Sequence, residues 1–139
     1  MNDGQTEIEY RKTNLEDIES YPDASLIISV FTLQFVNPKH RAKILKAVYD
    51  SMPTGGAFIM AEKVYSTNAK IQDILTFQYY DFKSKTFDGD TILSKERDLR
   101  RIMFPLSRLE NEKFLEEAGF SNFECFWRSY NFLAYICIS

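Results

Sequence analysis

Two apolar segments separated by a helix-length stretch constrain the fold of this chain more than any other feature. Residues 24–31 form a nearly continuous apolar and β-branched run, and residues 57–61 form a second one. Such runs are typical of strands buried on both faces of a parallel sheet. Between them, Asn37 and Pro38 predict the start of a helix, because asparagine caps helices well and proline is tolerated at the first helical position. The crossover predicts that the two strands are parallel neighbours. The predicted buried stripe of the helix is Ile44, Leu45, Val48 and Met52.

A strand precedes this unit and further helices follow it. Residues 7–11 alternate apolar and charged side chains, which predicts a half-exposed strand. Asn68 predicts the start of an amphipathic helix, whose aromatic residues between positions 77 and 82 are interpreted as core and lid. The capping-box spacing of Ser107 and Glu110 predicts a short helix that ends near Gly119.

Two aromatic segments close the chain. Residues 123–130 and 132–138 are joined so tightly that they predict an antiparallel hairpin. Residues 1–139 are therefore predicted to form a single α/β domain with a mostly parallel sheet and a C-terminal hairpin. In such sheets ligands bind beyond the carboxyl ends of the parallel strands, which directs attention to residues 14–15, 30–35 and 62–65.

The composition of the chain excludes several classes of function. The net charge of −3 and the pI of about 5.2 argue against direct nucleic-acid binding. His40 is the only histidine, which excludes multi-histidine sites, and no metal site is predicted. The polar start and the short longest apolar run predict a cytoplasmic protein without a membrane segment. The five glycines are too widely spaced to form a phosphate-binding loop.

Several short motifs in a fixed order resemble a known family. They are Phe-Thr-Leu-Gln-Phe (31–35), Gly-Gly-Ala (55–57), Glu-Lys (62–63), Asp-Phe-Lys (81–83), Ser94-x-x-Arg97, Ala-Gly-Phe (118–120) and Asn-Phe (131–132). Together they resemble the C-terminal portion of the carboxy-S-adenosyl-L-methionine synthase family, within the class I S-adenosylmethionine (SAM)-dependent methyltransferase superfamily. The resemblance covers nearly the whole chain, from about Ile8 onward.

The resemblance implies both a fold and an activity. The fold is a partial Rossmann-like class I methyltransferase fold in which the N-terminal half, with its glycine loop, is missing. The activity is that of a transferase that converts SAM and prephenate to carboxy-SAM, with phenylpyruvate leaving, for the modification of wobble uridine in tRNA. Asn14 and Leu15 match the family positions that contact adenine. Arg97 matches the arginine that holds the added carboxylate, a task suited to the paired hydrogen bonds of a guanidinium.

The sequence departs from the family pattern in ways that affect binding. Val30 stands where the family usually has asparagine, and Asn14 stands where it usually has aspartate. The glycine loop and the acidic residue that grips the ribose have no counterpart. We therefore expect the chain alone to bind SAM or carboxy-SAM weakly or not at all. The strand at residues 24–31 would also become an apolar edge, so we expect that residues 7–11 move against it or that two chains pair there as a homodimer.

Three functions remain open from the sequence. The first is the C-terminal part of a carboxy-SAM synthase. The second is a SAM-dependent methyltransferase of a small molecule or tRNA, which Val30 favours. The third is a non-catalytic remnant that acts as an oligomeric or binding module. The pair Glu62 and Lys63 is interpreted as structural, and the catalytic residues are unknown.

Overall fold

The structure is a computed structural model that describes residues 7–139. Two short 3₁₀ turns, Leu15–Asp17 and Leu33–Phe35, accompany the regular elements. In chain order the strands and helices are β1 (Leu26–Val30), α1 (Pro38–Asp50), β2 (Ala57–Tyr65), α2 (Ala69–Ser84), α3 (Gly89–Ile102), β3 (Leu106–Ser107), α4 (Arg108–Ala118), β4 (Asn122–Ser129) and β5 (Phe132–Ile138).

The strands form a mixed sheet in the order β1, β2, β5, β4, and the short β3 pairs with the end of β2. β1 and β2 are parallel, with Leu26 opposite Ala57. β5 runs antiparallel to both β2 and β4. The predicted parallel pair, the predicted C-terminal hairpin and the α/β class are therefore confirmed.

The hydrophobic core lies on the face of the sheet that α1 and α4 cover. Ile44, Leu45 and Val48 of α1 are buried there, as the helical spacing predicts, whereas Met52 is only half-buried. Phe58 of β2 stacks on Phe120, with ring centroids 5.7 Å apart. This layer holds most of the apolar burial that stabilises the domain.

The ends of α1 and α4 confirm the capping predictions. The side chain of Asn37 accepts a hydrogen bond from the first turn of α1. Ser107 and Glu110 form a complete capping box at the start of α4. Gly119 ends α4 with a φ of 116°, and a Cβ at this position would lie 2.9 Å from the ring of Tyr49. Both the backbone conformation and the close approach therefore require glycine here.

The N-terminal side of the sheet differs from prediction. Residues 7–11 form no strand and are exposed, so they do not move against β1. β1 pairs only with β2 among the described residues. Leu26, Ile28 and Val30 are consequently about half exposed rather than buried on both faces. An apolar run predicts a strand, but its burial depends on a neighbour that residues 7–139 do not supply.

The aromatic residues of α2 also differ from prediction. Asn68 caps the helix as expected, but no residue of α2 is buried. Phe77 is 66% exposed and Phe82 is 51% exposed, so they are not core residues. Tyr79 is half-buried and contacts Phe132, with ring centroids 5.3 Å apart. The reason is that α2 packs mainly on α3, outside the layer formed by α1 and α4.

Candidate functional site

A cleft of about 290 Å³ lies at the carboxyl end of β2. The end of β2, helices α2 and α3 and the hairpin turn between β4 and β5 form its walls. Its lining includes Lys63, Gln72, Thr76, Tyr79, Tyr80, Glu96, Arg100 and Asn131. This position agrees with the rule that ligands of α/β sheets bind beyond the carboxyl ends of parallel strands.

Three charged side chains form an ion cluster beside this cleft. The Glu96 carboxylate lies 3.1 Å from Nζ of Lys83 and 3.6 Å from Nζ of Lys63. Burial acts to raise the pKa of Glu96, but the charges and hydrogen bonds of the two lysines outweigh it, and the pKa is lowered below its usual range. Glu96 is therefore ionised at neutral pH. The cluster holds α2 and α3 against the end of β2.

Polar side chains from α2 and the hairpin turn form a second part of the lining. Gln72 accepts a hydrogen bond from the backbone N–H of Ser66 at 2.7 Å and donates one to the Thr76 hydroxyl at 3.0 Å. The Asn131 amide donates to the same hydroxyl at 3.4 Å. These bonds place amide groups inside the cleft rather than on open surface.

The Phe-Thr-Leu-Gln-Phe motif is fixed to the end of β2 by two side chains. Glu62 accepts a hydrogen bond from the backbone N–H of Leu33 at 3.1 Å. In return, Gln34 accepts one from the backbone N–H of Lys63 at 2.7 Å. Phe31 begins this segment with a φ of 52°, a conformation that is uncommon for phenylalanine and is held by its N–H bond to Ala61. The loop after β1 and the cleft-lining end of β2 are therefore one rigid unit.

Two ionisable side chains at this junction, Glu62 and Arg41, are buried. Glu62 is 1% exposed, and its Oε2 atom has no hydrogen-bond partner among the described residues. Burial raises the pKa of Glu62 to about 7, although the positive charge of Arg41 opposes the rise. Arg41 is also buried, and it donates to the carbonyl oxygens of Val36 and Phe104. Both side chains tie loops together through these hydrogen bonds. The structural interpretation of Glu62 and Lys63 stays a prediction.

The structure places the predicted cofactor residues outside this cleft. Asn14 is exposed and makes no capping hydrogen bond, and Leu15 is half-buried beside a separate pocket of about 120 Å³ lined mainly by apolar residues. Arg97 is exposed on α3, and its neighbours Glu96 and Arg100 line the cleft instead. The roles of Asn14, Leu15 and Arg97 in binding stay predictions.

Sequence reasoning missed Arg41 and Glu96. Arg41 falls on the same helical stripe as Leu45 and Val48, which is a signal that it would be buried. Glu96 follows Ile92 by one turn of α3, and both are buried.

Within residues 7–139 there is no cluster of three or more potential metal ligands. No helix in this range is long and apolar enough to cross a membrane.

Comparison with solved structures defines the class of fold. The chain superimposes on human N-acetylserotonin methyltransferase in complex with SAM with a TM-score of 0.61 at 14% identity, covering 99% of this chain and 36% of that one. The structure of PigF with SAH gives a TM-score of 0.58 at 20% identity, with coverages of 91% and 34%. The chain therefore has part of the class I SAM-dependent methyltransferase fold, as the resemblance implied.

Sequence comparison identifies more specific relatives. The chain is 32% identical over 140 aligned positions to carboxy-S-adenosyl-L-methionine synthase of Staphylococcus epidermidis, covering 99% of this chain and 61% of the relative. It is 38% identical over 119 positions to the synthase of the same name from Sulfurimonas denitrificans, with coverages of 85% and 51%. The chain thus spans about half to three-fifths of these relatives. No protein-family model matches it. These matches confirm the resemblance to the C-terminal portion of carboxy-S-adenosyl-L-methionine synthases.

Proposed function

We propose that this chain is the C-terminal, substrate-facing part of a SAM-dependent transferase that makes carboxy-SAM from SAM and prephenate, for the modification of wobble uridine in tRNA. The observation that carries the proposal is the similarity to carboxy-SAM synthases over nearly the whole chain. The cleft at the carboxyl end of β2 supports it, because it lies where this fold class holds its reactants. The proposed compartment is the cytoplasm.

The described residues fit one portion of SAM. Asn14 has a free, exposed amide that can accept from the adenine amino group. Leu15 lines an apolar pocket that suits one face of the ring. SAM supplies the electrophilic sulfonium chemistry when bound, so the protein contributes position and charge. Arg97, exposed on α3, is proposed to hold the carboxylate that distinguishes carboxy-SAM from SAM.

Mass spectrometry tests this function. The chain alone, and the chain fused behind the remaining N-terminal portion of the Staphylococcus epidermidis relative, are each incubated with SAM and prephenate. We expect carboxy-SAM from the fusion, and little SAM binding and no product from the chain alone. A fusion that methylates tRNA or a small molecule but forms no carboxy-SAM would support the methyltransferase alternative instead.

Arg97→Ala in this fusion tests the proposed carboxylate contact. We expect calorimetry to show a larger loss of affinity for carboxy-SAM than for SAM, since only carboxy-SAM has the added carboxylate. Arg101→Ala, another exposed arginine of α3, is the matched control and should change neither affinity. Equal losses for the two ligands in Arg97→Ala would remove Arg97 from this role.

We also propose that the chain forms a homodimer through the edge of β1. Leu26, Ile28 and Val30 are about half exposed on a strand whose outer edge has no partner within residues 7–139. Such apolar edges readily pair with another strand. Light scattering is expected to give twice the chain mass for the wild type and the monomer mass for Ile28→Lys. A monomeric wild-type chain would contradict the proposal.

A further inference from the structure

Helices α2 and α3 are consecutive and form a helical hairpin that is packed more lightly than the other helices. No residue of α2 is buried, and α3 buries only Ile92 and Glu96. By contrast, α1 buries five residues and α4 buries three. Because buried side chains are what fix a helix to a domain, segments with so little burial are the first to move.

Two short segments join this helical hairpin to the body of the molecule, which comprises the sheet, α1 and α4. Residues 66–68 precede α2 and residues 103–105 follow α3, and neither segment has regular structure. The second segment is held to the body at Phe104. Its N–H donates to the carbonyl oxygen of Gln34 at 2.7 Å, and its own carbonyl oxygen accepts from Arg41. A fixed point beside a short irregular segment is the arrangement of a hinge.

One ion pair connects the helical hairpin to the sheet. Glu96 on α3 lies 3.6 Å from Nζ of Lys63 on β2 through one carboxylate oxygen, and 3.1 Å from Nζ of Lys83 on α2 through the other. The pair with Lys83 joins the two helices to each other, so they can move together as one unit. Within residues 7–139, the pair with Lys63 is the only ion pair between the helical hairpin and the body.

The remaining contacts across the cleft are weak. Tyr79 contacts the ring of Phe132, and the Asn131 amide reaches the Thr76 hydroxyl only at 3.4 Å. The buried Oδ1 atom of Asn131 has no partner within residues 7–139. Because the Asn131 side chain faces α2, movement of α2 away from the sheet lets water reach this amide. Its hydration then offsets part of the contacts that are lost.

We propose that residues 69–102 are a lid that opens and closes over the cleft, with hinges at residues 66–68 and 103–105 and the ion pair of Lys63 and Glu96 as its latch. The lid supplies one wall of the cleft and the body supplies the other, so opening widens the cleft and closing shields it from water. The proposal concerns the motion of the chain itself and does not depend on the proposed function.

Time-resolved energy transfer from Trp127 tests the lid. This residue is the single tryptophan of the chain and lies on β4, in the body. The acceptor dye is attached to Thr86→Cys, an exposed position in the turn between α2 and α3. Cys125→Ser removes the half-buried thiol, and Cys137 is buried, with a pKa raised by burial to about 12, so it does not react with the dye.

We expect two donor–acceptor distances in this labelled parent, one for the closed lid and one for the open lid. Lys63→Gln should raise the ratio of open to closed lid about fivefold, because the latch is a partly buried charge pair. Glu96→Gln cuts the same pair from the lid side and should produce at least the same shift. This second variant keeps the test decisive if Lys63→Gln fails to fold.

Two controls separate lid opening from a general loosening of the chain. Lys113→Gln removes a lysine from an exposed ion pair on α4 and should leave the distances from Thr86→Cys unchanged. An acceptor on Lys43→Cys, an exposed position of α1, should give one distance in every variant, because both labels then lie in the body. The proposal would be overturned if neither Lys63→Gln nor Glu96→Gln changed the distances from Thr86→Cys. It would also be overturned if the acceptor on Lys43→Cys shifted as much as the one on the lid.

Discussion

The two sides of this molecule are built in different ways. The layer of α1 and α4 buries aliphatic and aromatic side chains against β2 and β5. The α2 and α3 side buries almost no apolar side chain, and its contacts are an ion cluster, amide hydrogen bonds and half-exposed rings. Apolar burial stabilises the first side, whereas the second side depends on polar groups that need specific partners.

This difference separates stability from ligand binding. The apolar layer can exist without a ligand, because its apolar side chains already pack on one another. The Tyr135 hydroxyl in this layer has no hydrogen-bond partner within residues 7–139. The cleft side retains the Asn131 amide oxygen, which is buried and has no hydrogen-bond partner within residues 7–139, and exposed rings on α2. Mutations on the two sides should therefore change the free energy of unfolding by different amounts, and denaturation measurements on matched variants test this difference.

The largest expected effect is on the apolar side. Phe58→Ala removes a fully buried ring that stacks on Phe120, and we expect it to lower the free energy of unfolding by about 3–5 kcal/mol. Phe77→Ala is the matched control on α2, where the ring is mostly exposed, and should cost less than about 1 kcal/mol. Urea denaturation measures both. Similar costs for the two variants would mean that the α2 side is packed as firmly as the core.

The sequence predicted the apolar side better than the cleft side. The parallel pair and the capping residues of α1 and α4 follow local patterns of spacing and side-chain chemistry, which residues close in sequence decide. Two predictions were wrong, namely that β1 is buried on both faces and that the aromatic residues of α2 belong to the core. Periodicity identifies an apolar face but not which element lies opposite it. The ion cluster of Lys63, Lys83 and Glu96 joins elements far apart in the chain, so no local pattern could predict it.

The carboxyl end of β2 was predicted as a ligand-binding region from topology, and a cleft lies there. Its particular lining was not predicted. The Asn131-Phe132 pair entered only as part of a family motif, and nothing in the sequence indicated that the amide oxygen of Asn131 would lack a partner within residues 7–139. The geometry of the hairpin turn relative to α2 decides this, and that geometry depends on tertiary packing.

A second, pH-dependent effect is expected from Glu62, at the junction of the two sides. Its pKa is raised from 4.5 to about 7, which corresponds to about 3 kcal/mol. Between these values the folded state holds a proton that the unfolded state has lost, so stability falls as pH rises through this window. Glu62→Gln keeps an acceptor for Leu33 and cannot ionise. Urea denaturation at pH 5 and pH 8 should show the variant gaining about 2–3 kcal/mol relative to wild type at the higher pH, because part of the effect has already occurred by pH 5. If the free energy of unfolding changed equally with pH in wild type and variant, Glu62 would not be a buried carboxyl with a raised pKa.

The smallest expected effect is in the ion cluster, and it should have the opposite pH dependence. Glu96→Gln leaves Lys63 and Lys83 without their shared partner, at a cost of about 1–2 kcal/mol near pH 7. The pKa of Glu96 is lowered, so its contribution is complete above the usual carboxyl range and is lost only as pH falls through the lowered value. The cost should therefore be the same at pH 5 and pH 8, unlike the change in Glu62→Gln.

Asp50→Asn, which removes an exposed ion pair with Lys46 on α1, is the control and should cost less than about 0.5 kcal/mol. If Glu96→Gln were no more costly than Asp50→Asn, the ion cluster would not be what holds α2 and α3 to the sheet, and the exposed rings of α2 would have to contribute more than their burial indicates.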